Sequence, residues 1–299
     1  MNYVVFDLEW NQSAGEAEQV TEPCCLAGEI IEIGAVQLNE KFETIDETCI
    51  YVMPKFYTHM DSRIAALTKI NNSRLQRDGI PFPQAYRQFC DWCGEEYAFM
   101  TWSESDMHAM IENLLVHGMD VSEFPVCYDI QRIFDREIMR DNRQCSLDKA
   151  IEILGERGDR AHDALHDARN TVLVCNHLDL DVYLEEYGSR VFAEVPDGRV
   201  YGSWLEVLQE PCNAEFACPW CGTTGTVEGW LQTRGCNVIG YGVCAEEDEF
   251  ILCLNIHKSS DGYRVNRMLY EMSDDLWDRY QDKLEGQDLI PLTGQEAGV

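Results

Sequence analysis

Tyr3-Val-Val-Phe-Asp-Leu-Glu-Trp10 is the stretch on which the reading of the fold turns. It is apolar enough to be a buried strand, spanning about residues 3–9. Side chains two apart on a strand share a face, so Asp7 and Glu9 project together. Two like charges that close cost free energy unless a cation neutralises them. Carboxylates are the usual oxygen ligands of Mg²⁺ and Mn²⁺. The pair therefore reads as a divalent-metal site on a first strand. In a chain with 54 acidic residues such a pair also arises by chance, so its weight depends on the segments around it.

Those segments alternate between strand and helix patterns. After a polar loop at 11–28, Glu29-Ile-Ile-Glu-Ile-Gly-Ala-Val-Gln-Leu38 reads as a second strand and 48–53 as a third, spaced for antiparallel pairing. Pro81 and Pro83 suit a helix start, with Ala85, Phe89 and Trp92 at helical spacing. Tyr97–Trp102 is a short strand, followed by a helix that Ser103 would cap. Met107, Met110, Ile111, Leu114 and Leu115 form its apolar stripe. Asp106 then falls in the first turn beyond a strand end, where α/β sheets commonly bind ligands. Ser146 opens another helix that stops at Gly155, and a last one covers about 164–178.

The third acidic segment is Arg160-Ala-His-Asp-Ala-Leu-His-Asp-Ala-Arg-Asn-Thr171. His162 and Asp167 would sit roughly 140° apart in one regular helix. They face one site if His162 lies on the preceding loop and Asp167 on the helix. Asp163 is typed to cap that helix, and His166 reads as a surface or packing residue. Asp7, Glu9, Asp106 and Asp167 with His162 fit two-metal phosphodiester hydrolysis, in which paired cations hold the attacking and leaving oxygens. Histidine titrates near neutral pH, so it can take the proton of the attacking water.

In this order the motifs resemble the DEDDh 3′→5′ exonucleases of the DnaQ-like or RNase T-like superfamily. Phe6-Asp-Leu-Glu-Trp-Asn11, Thr101-Trp-Ser-Glu-Ser-Asp106 and His162-x-x-x-x-Asp167 resemble its three motifs. Glu29–Val36, Leu67–Ile70, Tyr128–Gln131 and Ser146–Ala150 are similar too. The branch most similar in appearance is that of the KapD and Eri-type RNA exonucleases. The resemblance implies a ribonuclease H-like α/β fold, a mixed sheet flanked by helices, over residues 1–188. It implies two Mg²⁺ or Mn²⁺ per site on Asp7, Glu9, Asp106 and Asp167, with His162 as general base. Leu8 and Trp10 would flank the terminal nucleotide. The implied substrate is a single-stranded nucleic acid 3′ end, RNA before DNA. Ser103 departs from the glycine often found there. Two other readings remain: a repair or proofreading DNA exonuclease, and an idle exonuclease fold used for binding.

Charge narrows how such an enzyme would meet its substrate. The net charge is −31, with 35 acidic and 15 basic groups in residues 1–188 and 19 and 8 in residues 189–299. Long nucleic acid is normally held by basic grooves, which this chain lacks. It is therefore expected to engage a few nucleotides at an end, with cations supplying positive charge. With no long apolar run and no signal pattern, a cytosolic location is expected.

Beyond a boundary at 189–203, residues 204–299 read as a β-rich, cysteine-containing domain: hairpins over 204–265, a helix at about 266–285 and an acidic tail. Most of the 14 cysteines read as reduced, small apolar fillers, and Cys90 and Cys93 fall within a helix. Cys218-Pro-Trp-Cys-Gly222 instead has the form of a zinc knuckle. Pairing 225–232 with 238–244 would return Cys244 to Cys218 and Cys221 as a third zinc ligand and leave Cys236 at the far turn. Cys212, Glu247 and Cys253 remain open as the fourth.

Overall fold

A computed structural model describes residues 1–15, 18–140 and 144–292. The acidic end of the chain, 293–299, lies outside them. Contacts divide the chain into two units. Unit 1 comprises Met1–Glu18, Leu26–Asp120 and Pro125–Gly188; unit 2 comprises Gln19–Cys25, Val121–Phe124 and Ser189–Val299. No helix among the described residues is long and apolar enough to cross a membrane.

Unit 1 is the α/β architecture read from the sequence. Its strands are β1 (Asn2–Asn11), β2 (Glu29–Leu38), β3 (Thr44–Met53), β4 (Ile80–Pro81), β5 (Tyr97–Thr101) and β6 (Cys127–Asp129), in the order β4-β3-β2-β1-β5-β6. β1, β2 and β3 pair antiparallel, whereas β5 runs parallel to β1 and β6 parallel to β5. The flanking helices are α1 (Ser62–Thr68), α2 (Asn72–Asp78), α3 (Phe82–Cys93), α4 (Glu104–Val116), α5 (Ile130–Phe134) with a π-helical turn at Asp135–Met139, α6 (Leu147–Leu154), α7 (Ala164–Cys175) and α8 (Leu180–Tyr187).

The sequence patterns account for where these helices start and which face they bury. All five stripe residues of α4 are buried, and the Ser103 hydroxyl accepts the Ser105 N–H as its cap. α3 buries Ala85, Phe89 and Cys93, while Trp92 is only half-buried and donates its indole N–H to Asp46 at 2.9 Å. α7 presses on β2 at Gly34. A Cβ there would stand 2.0 Å from the Leu165 nitrogen and 2.1 Å from the Ala164 carbonyl carbon. Only glycine permits that approach. Gly34 is the register partner of Asp7, so the same close packing brings the start of α7 to the first acidic residue.

Unit 2 is an antiparallel sheet with three helices. It contains β7 (Val191–Glu194), α9 (Trp204–Gln209), α10 (Pro211–Ala214), β8 (Glu215–Ala217), β9 (Thr224–Val227), β10 (Leu231–Gln232), β11 (Val238–Val243), β12 (Glu249–Ser259), β13 (Gly262–Glu271) and α11 (Asp274–Gly286). The strand order is β7-β13-β12-β11-β9-β8, with β10 also on β11. Its core holds Phe216, Trp230, Val238, Phe250, Leu252 and Leu254.

Three details differ from the sequence reading. Residues 266–271 are strand, not helix, and α11 begins only at Asp274 behind the Ser273 cap. Val265, Met268 and Leu269 have helical spacing, but β13 pairs with β12 on one side and β7 on the other, and this pairing overrides the local pattern. Residues 204–214 form α9 and α10 rather than a hairpin, because Ser203 caps α9 and Val207 and Leu208 bury on one face. The stretch 189–203, read as a linker, contributes β7 to the sheet.

Candidate active site

β1 carries Asp7 and Glu9 into a cleft of about 520 Å³. Trp10, Gln12, Ser103, Ser105, Asp106, Ser146, Asp148, His162 and Asp167 also line it, together with Leu8, Ile64, Leu67, Thr68, Trp102, Leu147 and Ala161. Every expected acidic and histidine residue therefore reaches one cavity. Among the described residues no lysine or arginine lines it.

Each element holds its residue by a definite contact. Asp106 lies in the first turn of α4, buried, and its Oδ1 accepts the Leu8 N–H at 3.0 Å. This bond ties the helix start to β1 between the two strand acids. Asp167 lies in the first turn of α7. Its Oδ2 accepts the His162 backbone N–H at 2.8 Å, and Asn170 donates to its Oδ1 at 3.3 Å. Asp163 caps α7 by accepting the His166 N–H, as its type suggested. His162 itself sits just before the helix, exposed, with φ of +64°. That conformation is uncommon outside glycine, though histidine adopts it more readily than most residues, and here the backbone N–H is bonded to Asp167. Ligand atoms of Glu9, His162 and Asp167 lie within 4.8 Å of one another.

The carboxylates strain against one another. Burial holds the Asp7 carboxyl well above its ordinary range, and the charges of Asp106, Asp167, Glu9 and Glu32 push it the same way. Glu9 is pushed up to about 8, first by burial and then by Glu32, Asp167 and Asp106. Asp106 is raised to about 7 by burial, against the Leu8 N–H that pulls it down. Asp167 is raised by burial, opposed by its bonds from His162 and Asn170. Metal-free, the cluster holds protons near neutral pH. A hard divalent cation would replace them, and an all-oxygen donor set without a competing lysine or arginine suits Mg²⁺ or Mn²⁺.

Other contributors carried no signal as site residues. Glu32 is buried opposite Glu9 on β2, and accepts the Ala164 N–H at 3.2 Å and the Cys49 thiol at 3.2 Å. It fixes the start of α7 while adding negative charge beneath the site. Asn11 is fully buried and donates to the Tyr57 and His59 carbonyls, and its Oδ1 accepts the Asp61 N–H. It thereby anchors the entry to α1, whose Ile64, Leu67 and Thr68 form one cleft wall. Leu67 is 49% exposed. Leu8, by contrast, is 3% exposed and offers the cavity little surface. Trp10 lies over Gly28, where a Cβ would come within 2.3 Å of its ring.

In unit 2 the structure gathers Cys218, Cys221 and Cys244, and the fourth neighbour is Asp248. None of the three alternatives fills that place. Cys212 faces Arg199 at 3.8 Å, Cys253 faces Asn255 at 3.6 Å, and Glu247 is exposed on a turn at φ +68°.

Comparison with known proteins bears on the fold of unit 1 and on the family. The nuclease domain of 3′hExo, a DEDDh family member solved with rAMP, superposes with a TM-score of 0.52 at 22% identity, over 60% of this chain and 92% of that one. A full-length 3′-exonuclease gives 0.52 at 21% identity, over 67% and 89%. Cell-death related nuclease 4 (CRN-4) gives 0.50 at 20% identity, over 59% and 62%. At such identities these likenesses speak for the fold alone. No curated protein matches the chain. The profile of the Exonuclease (RNase_T) family, however, matches residues 4–175, more than half of the chain, and the chain belongs to that family.

Proposed function

We propose that the protein is a metal-dependent 3′→5′ exonuclease that releases 5′-mononucleotides from single-stranded ends, RNA in preference to DNA. The observation that carries this reading is the convergence of four carboxylates and an exposed histidine in one cleft, with no lysine or arginine lining it among the described residues. Asp7, Glu9, Asp106 and Asp167 would hold the cations. Bound there, they would neutralise charge on the scissile phosphate and favour a hydroxide-like water.

His162 accepts the proton of that water at an imidazole nitrogen. The water oxygen bonds to phosphorus, the P–O3′ bond breaks, and the departing 3′-oxygen takes a proton from solvent, leaving the shortened strand with a new 3′-hydroxyl. Asp167 holds the His162 backbone, so the imidazole is presented from a fixed turn. Ile64, Leu67, Trp102 and Leu147 supply apolar walls for the terminal base and sugar. Units 1 and 2 act in this proposal as a nuclease domain and an appended domain. The RNA preference rests on similarity to RNA exonucleases, including 3′hExo, crystallised with rAMP.

End-labelled RNA and DNA of matched sequence test the reading. Stepwise loss from the 3′ end with Mg²⁺ or Mn²⁺, none with chelator and survival of 3′-blocked RNA are expected. Internal cleavage of a circular substrate would make it an endonuclease. Equal or faster digestion of DNA would remove the RNA preference.

A further inference from the structure

Two turns of unit 2 converge on one point. The first, Cys218–Gly222, joins β8 to β9, and the Gly222 N–H donates to the Cys218 carbonyl at 2.9 Å with Gly222 at φ +72°. The second, Cys244–Asp248, joins β11 to β12, and the Cys244 N–H donates to the Asp248 carbonyl at 3.0 Å. Asp248 Oδ2 stands 3.2 Å from Cys218 Sγ and 3.4 Å from Cys244 Sγ, and the Cys221 and Cys244 sulfurs are 3.6 Å apart.

These are three of the six edges of a tetrahedron around a small cation, and the four ligand atoms all lie within 4.8 Å of one another. With Zn–S near 2.3 Å and Zn–O near 2.0 Å, tetrahedral angles require about 3.8 Å between sulfurs and about 3.5 Å from sulfur to oxygen. A disulfide would need about 2.05 Å. The Thr223 hydroxyl lies 3.0 Å from Cys221 Sγ and accepts the Ala245 N–H at 3.3 Å. It links the two turns and supplies the outer hydrogen bond that metal ligands commonly have. Cys218 and Cys244 are 2% and 6% exposed, so two ligands belong to the core, while Cys221 is exposed and Asp248 half-buried.

We propose that Cys218, Cys221, Cys244 and Asp248 bind one Zn²⁺ as a four-coordinate structural site. Three thiolates select a soft or borderline cation, which separates this site from the all-oxygen cleft of unit 1. With four protein ligands it keeps no open position for substrate or water. Its role is to lock the β8–β9 turn to the β11–β12 turn.

Elemental analysis of the full-length protein, purified without chelator, is the test, run beside Asp7→Asn so that cleft-bound metal is not counted. One zinc per chain in both is expected. Zinc absent from fresh protein and not taken up on addition overturns the site; so does zinc lost with Asp7→Asn. Cobalt substituted for zinc should show thiolate charge transfer and the bands of tetrahedral Co²⁺, and their absence counts against the geometry. Asp248→Ala should retain zinc against a competing chelator at least about tenfold less well, and Asp248→Cys should restore retention. Retention unchanged in a folded Asp248→Ala protein removes Asp248 from the ligand set.

Discussion

The carboxylate cleft of unit 1 and the thiolate cluster of unit 2 are two ways of building a cation site. The cleft is made by a sheet and two helix starts. Its acids span Asp7 to Asp167, and packing of the fold, at Gly34 above all, forces them together. Like charges are thereby buried at a cost, and a cation relieves that cost. The thiolate cluster is made by two turns within about thirty residues. It sets one carboxylate, Asp248, among three cysteines that are uncharged as thiols, so the unloaded cluster buries no set of like charges. A cation there adds stability to a small sheet. Removing metal should leave unit 1 folded but strained, and should loosen unit 2 at its turns.

The sharpest way to break this contrast is Asp7→Ala. It should abolish hydrolysis while leaving metal-free thermal stability unchanged or higher, because it removes one of several repelling buried charges. Most of the activity surviving at saturating Mg²⁺ would refute the proposed roles. His162→Ala comes next. Loss of a general base lowers turnover about 10²–10⁴-fold, with metal affinity nearly retained on the four carboxylates. Ligand atoms of His162 and Glu9 lie close, so a variant that instead lost metal affinity would make His162 a ligand. His166→Ala, on the same helix end, should be nearly silent.

Gly34→Ala probes how the fold imposes the cluster. The added methyl would meet α7 backbone at 2.0 Å, and overpacking that shifts the backbone costs about 1–3 kcal/mol and occasionally more. A lower melting temperature and loss of activity together are expected. Wild-type activity in that variant would show that α7 can retreat without moving Asp167.

Protonation gives a smaller, graded effect. Glu9 and Asp106 are raised to about 8 and about 7 in the folded chain. The folded state therefore binds more protons than the unfolded state between about pH 4 and those values, so metal-free stability should fall as pH rises through that window. Each tenfold difference in proton affinity is worth about 1.4 kcal/mol. Urea titrations with chelator at pH 5 and pH 8 should show the fall, and Mg²⁺ should reduce it. Greater metal-free stability at pH 8 would contradict the strain.

Much of the candidate site was legible because each motif carries a local signature. Asp7 and Glu9 alternate on an apolar strand, Asp106 follows a capping serine, and His162 stands directly before Asp163, the cap of α7. Glu32 and Gly34 were not legible as site residues, since inside an apolar strand they look like any buried acid and any small residue. Their roles depend on α7, more than a hundred residues away in sequence. Asp248 was missed for a different reason. Carboxylate in place of a second cysteine pair breaks the expected spacing, and Glu246 and Glu247 beside it are equally acidic. The turn alone decides among them. β13 was misread because its apolar residues repeat at helical spacing, and only its two neighbouring strands settle its form.

The smallest expected effect is on salt dependence. With a net charge of −31 and no lysine or arginine lining the cleft among the described residues, few phosphates should be neutralised by such side chains. Affinity for a single strand should therefore vary weakly with salt, and digestion should proceed with low processivity. A steep salt slope would reveal a basic track.

Product analysis on 3′- and 5′-end-labelled RNA, with Mg²⁺ and with chelator, tests the central claim most directly. The account predicts 5′-mononucleotides released one at a time from the 3′ end, only with the divalent cation and not by Asp7→Ala. Cleavage that persists in chelator, or that begins inside the strand or at its 5′ end, would contradict it.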